Sequence, residues 1–260
     1  MLKTAIEAAK KAACIHRKYY RNVGAVKFKG TSNNLVTKVD VASERVIKET
    51  LKKAYPSHGF ICEENGTENV DNEYRWIIDP LDGTVNYAHG FPLFCVSIAL
   101  QRNGVTKLGV VYAPVLDEMF TSEAGKGARL NGKRVLVSRA KTLENSLLAT
   151  GFPYSLKKDP GSNLVHFNSF CMKAQAVRRG GSAALDLCYV GCGIYDGFFE
   201  QGLYAWDTAA GMLFIEEAKG RVTDYGGNKF DNFQKTILAS NGLIHEEMLK
   251  VLEKRVHRGE

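Results

Sequence analysis

Trp76, Ile77 and Ile78 make a short apolar run that stops at Asp79-Pro80, and Phe60-Ile61 leads in the same way to Glu63-Glu64. Apolar runs of this length, bounded by turn residues, read as buried strands, so acids stand just after an apolar segment in both places. The intervening stretch, residues 65–74, is polar and acidic with Gly66 as a turn residue, and reads as exposed. Downstream, residues 94–100, 108–112, 118–122 and 128–130 read as successive strands separated by Asn103-Gly104, Pro114 and Gly125. A sheet with antiparallel members is implied. Ahead of it, residues 2–20 repeat apolar side chains at helical spacing. A second helix starts at Asp40, carries Ile47, Leu51 and Ala54 on one face and ends at Pro56. Residues 27–34 form a basic loop or strand edge leading into 35–37.

The texture changes after Ser138. Residues 146–150 and 194–199 read as strands, and 164–171 and 182–190 as helices. A further helix over 208–219 follows Asp207 at an N-cap position and ends at Gly220. A Gly226-Gly227 turn, a strand over 236–239 and a last helix over 245–254 complete the chain. The expected division is an N-terminal α+β half, residues 1–137, and a C-terminal α/β half, residues 138–260, which together form one compact catalytic unit.

With 45% hydrophobic and 24% charged residues, disorder, collagen and coiled coil are excluded. The longest apolar stretches fall far short of the roughly 20 residues of a membrane span. The N-terminus mixes Ala, Lys and Glu without an apolar signal core, so a cytoplasmic protein is expected. Cys14, Cys62, Cys95, Cys171, Cys188 and Cys192 include no C-x-x-C pair and read as reduced, mostly buried thiols. The net charge of +7 favours an anionic partner and names none.

Four carboxylates stand out by position: Glu63, Asp79, Asp82 and Asp207. In Asp79-Pro80-Leu81-Asp82-Gly83-Thr84, proline fixes one backbone torsion and Gly83 permits a sharp turn. Asp79 and Asp82 can therefore point into a common space, and Leu81 can add a backbone carbonyl. Such oxygen donors suit magnesium, a hard cation, whereas a set without Cys or His disfavours zinc. Desolvated like charges this close repel strongly, a conflict that a cation removes. Local spacing alone leaves a second reading open, in which Asp79 caps a turn and Asp82 forms an Asx-turn.

Residues 76–90, WIIDPLDGTVNYAHG, closely resemble the first signature of the inositol monophosphatase family, and residues 206–211, WDTAAG, resemble the second. Glu63-Glu64, after Gly59, Phe60, Ile61 and Cys62, is similar to the family's upstream acidic element, with Cys62 where glycine is usual. The resemblance covers nearly all 260 residues. It implies an α/β protein with the layered αβαβα fold of the sugar-phosphatase type, having an antiparallel-rich first sheet. It also implies a lithium-sensitive, magnesium-dependent phosphomonoesterase, usually a homodimer, with two or three Mg2+ per active site.

By that resemblance Glu63, Asp79 and the Leu81 carbonyl match the ligands of one metal, and Asp79, Asp82 and Asp207 those of a second. Glu64 follows a ligand without being one. Catalysis falls to Glu63 and Thr84, which orient and activate water, and to Asp82 beside the substrate. Gly83 and Thr84 match phosphate-holding residues. Glu200 matches an acid that accepts ring hydroxyls, Asp207 approaches the ring, and Gly181, Ser182 and Ala183 wall it. Lys29 aligns near the catalytic water, and Asp40 with an acid supporting Thr84. Without the resemblance, Glu200 reads as a surface acid, Ser182 and Asp40 as helix caps, Thr84 as a turn hydroxyl and Lys29 as a surface lysine.

The implied reaction is hydrolysis of myo-inositol monophosphate to inositol and phosphate by direct attack of a metal-activated water. The alternatives are a broad sugar-phosphate or fructose 1,6-bisphosphate phosphatase, or an accessory protein of transcription and ribosomal-RNA processing with residual phosphatase activity. No specific nucleic-acid motif supports the last: Lys126, Arg129, Lys133 and Arg134 form a basic run without interleaved aromatics. Arg178-Arg179 is a dibasic step beside the expected pocket, His89 reads as locally hydrogen-bonded and His166 as inert. Trp76 and Trp206 read as core aromatics that fix the acid-bearing loops, each with an indole donor to satisfy.

Overall fold

The strands bury alternate residues on opposite faces, and that alternation builds five layers. The computed structural model describes residues 1–22, 26–28, 35–153, 156 and 163–253. The first half runs α1 (Leu2–Tyr19), β1 (Val26–Phe28), β2 (Leu35–Thr37), α2 (Lys38–Ala54), β3 (Gly59–Cys62), β4 (Gly66–Glu68), β5 (Tyr74–Asp82) and α3 (Thr84–Ala88). It continues through β6 (Cys95–Arg102), β7 (Val105–Ala113), β8 (Glu118–Glu123), β9 (Gly127–Leu130) and β10 (Lys133–Arg134). The second half contains β11 (Leu147–Thr150), α4 (Asn163–Cys171), β12 (Ala176–Arg178), α5 (Ala183–Gly191), β13 (Gly197–Gln201) and α6 (Ala205–Glu217). It ends with β14 (Arg221–Thr223), β15 (Thr236–Ser240) and α7 (His245–Glu253).

An eight-stranded sheet runs β10-β9-β8-β7-β6-β5-β3-β4, antiparallel except where β3 lies parallel to β5. On one face Phe60, Trp76, Ile78, Ile98 and Val110 pack against the alanine stripe of α1 and against Ile47 and Leu51 of α2. On the other, Ile61, Ile77, Ala99, Val111 and Phe120 pack against α5 and α6. Those helices are covered in turn by Ala149, Phe198, Ile237 and Ala239 of a five-stranded sheet, order β12-β11-β13-β15-β14. The reverse face of that sheet, Leu148, Phe199 and Leu238, packs on Phe170 of α4 and Met248 and Leu252 of α7. The expected αβαβα layering results. Because α5 and α6 are covered on both sides, they are apolar nearly all round rather than amphipathic.

Several boundaries differ from the sequence reading. The strand expected over 194–199 begins only at Gly197. The short strands β12 and β14 and the helix α3 gave no periodic signal. Asp40 does not open its helix: Thr37 is the N-cap, and Asp40, three residues on, closes a capping box with it. Asp207 likewise lies inside α6, whose N-cap is Tyr204. All six cysteines are free; Cys62, Cys95 and Cys188 are buried, whereas Cys14 and Cys171 are exposed, against the expectation of mostly buried thiols. Among the described residues no helix is long and apolar enough to cross a membrane.

Candidate active site

β5 does not stop at Asp79; it continues to Asp82 through a bulge. Asp79 pairs with Ser97 and Asp82 with Cys95, so three steps along β5 match two along β6. In a regular strand, residues three apart point to opposite faces; the extra residue restores a common face. Pro80, which has no N–H to give a ladder, sits within the irregularity. The Leu81 side chain is buried with Val39, Tyr87 and Phe94, while its N–H donates to Asp79 Oδ1 at 2.9 Å. Gly83 follows at φ 87°, and a Cβ there would stand 2.9 Å from the Leu93 carbonyl oxygen, so the turn after the acids requires glycine.

Carboxylate oxygens of Asp79, Asp82 and Asp207 converge within 4.8 Å of one another. Asp207 arrives from the first turn of α6, where its Oδ2 accepts the Tyr204 N–H at 2.7 Å. Asp82 Oδ2 accepts from Ser182 Oγ at 2.6 Å and the Ala184 N–H at 2.8 Å. Ser182 thus does not cap its own helix; the carboxylate of Asp82, from the other half of the chain, caps α5 instead. Glu63 follows β3, and its N–H donates to the Ile78 carbonyl at 3.3 Å. Its charge reaches Asp40, Asp79 and Asp207.

Burial raises the Asp79 carboxyl well above the usual range, and the charges of Glu63, Asp82 and Asp207 push the same way. Asp207 is raised by burial and then by Asp82. Burial also raises Asp82, opposed by the hydrogen bonds from Ser182 and Ala184. These acids resist ionisation together in the absence of a counter-charge. An all-oxygen donor set of this kind fits a hard divalent cation such as Mg2+, and Leu81 could add its carbonyl.

Thr84 Oγ1 lies 3.0 Å from the Leu81 carbonyl and 3.2 Å from Asp40 Oδ1, both as hydrogen-bond acceptors for its one proton. Asp40 Oδ2 meanwhile accepts the Thr37 N–H at 2.8 Å. Asp40 therefore serves both as part of a capping box and as a support for Thr84. Burial, opposed by the Thr37 hydrogen bonds, pushes its carboxyl up to about 6.

A cleft of about 100 Å3 opens beside the acids. Gly83, Thr84, Gly181, Ser182, Ala183 and Glu200 line it together with Asp82 and Asp207, so the expected phosphate and ring residues share one space. Glu200 is buried rather than a surface acid, and a Cβ on Gly151 would lie 2.2 Å from its carboxylate. Lys29 lies outside the described residues. Glu64 contributes its N–H to Glu44 Oε2 at 2.9 Å.

Three contributors escaped the sequence reading. Glu44, fully buried on α2, also accepts the Asn65 N–H and side-chain amide, which pins the segment following Glu63. Asn86 donates to the Leu93 and Gly180 carbonyls, joining α3 to the cleft wall. Asp186 lines the cleft from the first turn of α5. An acid in an early helical turn carries a bland meaning in sequence, and only its neighbours reveal another. Arg179 lines the cleft whereas Arg178 does not, His89 is exposed, and His166 packs edge-on to Tyr225. Trp76 is fully buried, but its indole N–H finds no partner among the described residues.

A family model described as the inositol monophosphatase family matches residues 1–257. The chain is 44% identical over 255 residues to the Nus factor SuhB of Haemophilus influenzae, covering 96% of this chain and 95% of that one. It is 41% identical over 260 residues to an inositol-1-monophosphatase of Mesorhizobium japonicum, covering 98% and 96% of the two chains. A solved inositol monophosphatase from Anabaena superposes with a TM-score of 0.89 at 43% identity, covering 96% of this chain and 94% of that one.

Proposed function

Because this chain belongs to the inositol monophosphatase family, we propose that it is a Mg2+-dependent phosphomonoesterase whose substrate is a polyol or sugar monophosphate, with myo-inositol monophosphate the leading candidate. The observation that carries the reading is the convergence of Asp79, Asp82 and Asp207 within 4.8 Å at one end of a cleft that Glu200 lines.

Asp79, Asp82, Asp207, Glu63 and the Leu81 carbonyl would hold the metal. When bound, Mg2+ supplies Lewis-acid neutralisation of phosphate oxygens and acidifies water. Thr84 Oγ1 donates its proton to Asp40 or to the Leu81 carbonyl, which leaves its lone pairs to accept from a water and aim it at phosphorus. Glu63 shares that orienting role. Backbone donors at Gly83 and Thr84 meet the phosphate oxygens, and Glu200 accepts hydroxyls of the leaving polyol. Water oxygen bonds to phosphorus as the ester P–O bond breaks, and the departing alkoxide takes up a proton, giving alcohol and inorganic phosphate. Direct attack by water suits a site whose described residues include no nucleophile paired with a histidine base.

Phosphate release from inositol, fructose, glycerol and adenosine phosphates, with Mg2+ and after chelation, tests this. We expect release that requires the metal and favours inositol monophosphate. No release from any member of the panel overturns the phosphatase reading, and release indifferent to chelation overturns the metal. Inhibition by Li+ and a homodimeric state belong to the same proposal, and kinetics and sedimentation decide them.

A second role has one specific support, the name Nus factor carried by the Haemophilus influenzae relative. It predicts that an inactive Asp82→Asn protein still retains transcription machinery or RNA in a pull-down. Absence of both from the wild-type pull-down removes it.

A further inference from the structure

Asp186 and Glu200 are 2% and 6% exposed, and both line the cleft. No hydrogen bond from a described residue reaches either carboxylate. The charge of Asp186 acts on Glu200, and Arg179 at the cleft wall acts on both without forming an ion pair with either. The Asp186 carboxylate occupies space that glycine at 180 leaves open, because a Cβ there would lie 2.5 Å from its Oδ1. In their ionised form these are two buried acceptor-only groups with no donor from a described residue, so burial raises both carboxyls and ionising them costs stability unless a ligand supplies donors. A phosphate group would meet them with like charge. A carbon framework bearing several hydroxyls satisfies both, since each hydroxyl donates one hydrogen bond.

We propose that Asp186 is a specificity-determining residue that, beside Glu200, accepts hydrogen bonds from hydroxyls of the polyol part of the substrate. This rests on reading the cleft as the site of a polyol phosphatase. It extends that reading to a residue of α5 and predicts a preference for leaving groups with neighbouring hydroxyls over those with none.

The test compares wild type with Asp186→Asn, which keeps the shape and removes the charge, and with Gly180→Ala, which displaces the carboxylate without altering it. Specificity constants are measured for myo-inositol 1-phosphate and for 4-nitrophenyl phosphate, whose leaving group carries no donor hydroxyl beyond the ester. Binding of free myo-inositol, in the presence of Mg2+ and inorganic phosphate, is measured by calorimetry. A hydrogen bond to a charged group sets the scale, so the ratio of the two specificity constants should fall about 10- to 100-fold in Asp186→Asn, mainly through KM. Inositol affinity should fall by a similar factor, and Gly180→Ala should lie between that variant and wild type.

A ratio and an inositol affinity equal to those of wild type overturn the proposal, as does wild-type protein that binds no inositol. If the wild type binds inositol yet hydrolyses no phosphate ester, the phosphatase reading fails while the binding comparison still decides the role of Asp186. Should Asp186→Asn fail to fold, as read by its melting curve, Gly180→Ala decides alone.

Discussion

At Asp82 one carboxylate is asked to do two things. Its Oδ2 takes the Ser182 hydroxyl and the Ala184 N–H, while the group stands within 4.8 Å of Asp79 and Asp207. An amide cannot do both: its NH2 must face either the donors of α5 or the acid cluster, and in neither place does it replace a charged oxygen. Asp82→Asn should therefore reduce Mg2+-dependent turnover by at least about two orders of magnitude, the scale of losing one strong transition-state contact. Phosphate release by the folded variant checks this, and turnover equal to wild type refutes the assignment. Position alone left Asp79 and Asp82 open to a turn reading, and it was the resemblance of residues 76–90 and 206–211 to the family signatures that made the acids legible as a set. Glu44 and Asp186 were not legible. Each sits in a helix where an acid usually faces solvent or the helix dipole, and its meaning comes from a partner distant in the chain.

Helices followed from periodicity wherever one face meets a core, as in α1 and α2, and β6, buried on both faces, followed from its continuous apolar run. The bulge in β5 escaped because it belongs to the register between two strands rather than to either one. The cap of α6 was misplaced for a related reason: Asp207 does satisfy a terminal N–H, but that of Tyr204, from three residues inside. At the start of α7 one buried ring joins the helix to two strands. His245 is buried between Thr223 of β14, 2.9 Å from Nε2, and Ser240 of β15, 2.8 Å from Nδ1. Thr223 gives its own proton to the Asp224 carbonyl, so Nε2–H donates to Thr223 and Nδ1 accepts from Ser240. Protonating Nδ1 would end that acceptance, and burial pushes the imidazole down to about 4 from its ordinary 6.5. Above the ordinary value the ring is neutral in both the folded and unfolded chain. Below it the unfolded chain takes up a proton first, so stability falls as pH drops from about 6.5 to about 4 and levels off beneath that window. The loss from this ring should be on the order of 2 kcal/mol, allowing for solvent screening. Urea melts across that range should show a shallower slope for His245→Asn than for wild type, and equal slopes would rule the ring out as a source.

On the scale of the whole molecule, the acid cluster is a seam. Asp79 and Asp82 come from the eight-stranded sheet, Asp207 from α6, and Asp82 also holds the N-terminus of α5. The two middle helices pack against both sheets, so neither half can keep its hydrophobic face covered if the other departs. A cation at the seam would then stabilise the docked state of the entire chain. At a Mg2+ concentration 100 times its dissociation constant the increment is about 2.7 kcal/mol, provided the unfolded chain does not bind. The same geometry makes the metal-free protein carry a penalty, because burial opposes ionisation of all three acids and the charges of their neighbours oppose it further at Asp79 and Asp207. Asp207→Asn removes one source of repulsion while its side-chain oxygen can still accept the Tyr204 N–H. Without metal this variant should melt at a higher temperature than wild type, and its gain on adding Mg2+ should be the smaller of the two. A site selected for chemistry at the expense of stability behaves in this way. Calorimetry with and without a chelator reads both effects in one experiment. A wild-type melt that splits into two transitions would contradict the single docked unit, and an undiminished Mg2+ increment in Asp207→Asn would remove that residue from the metal site.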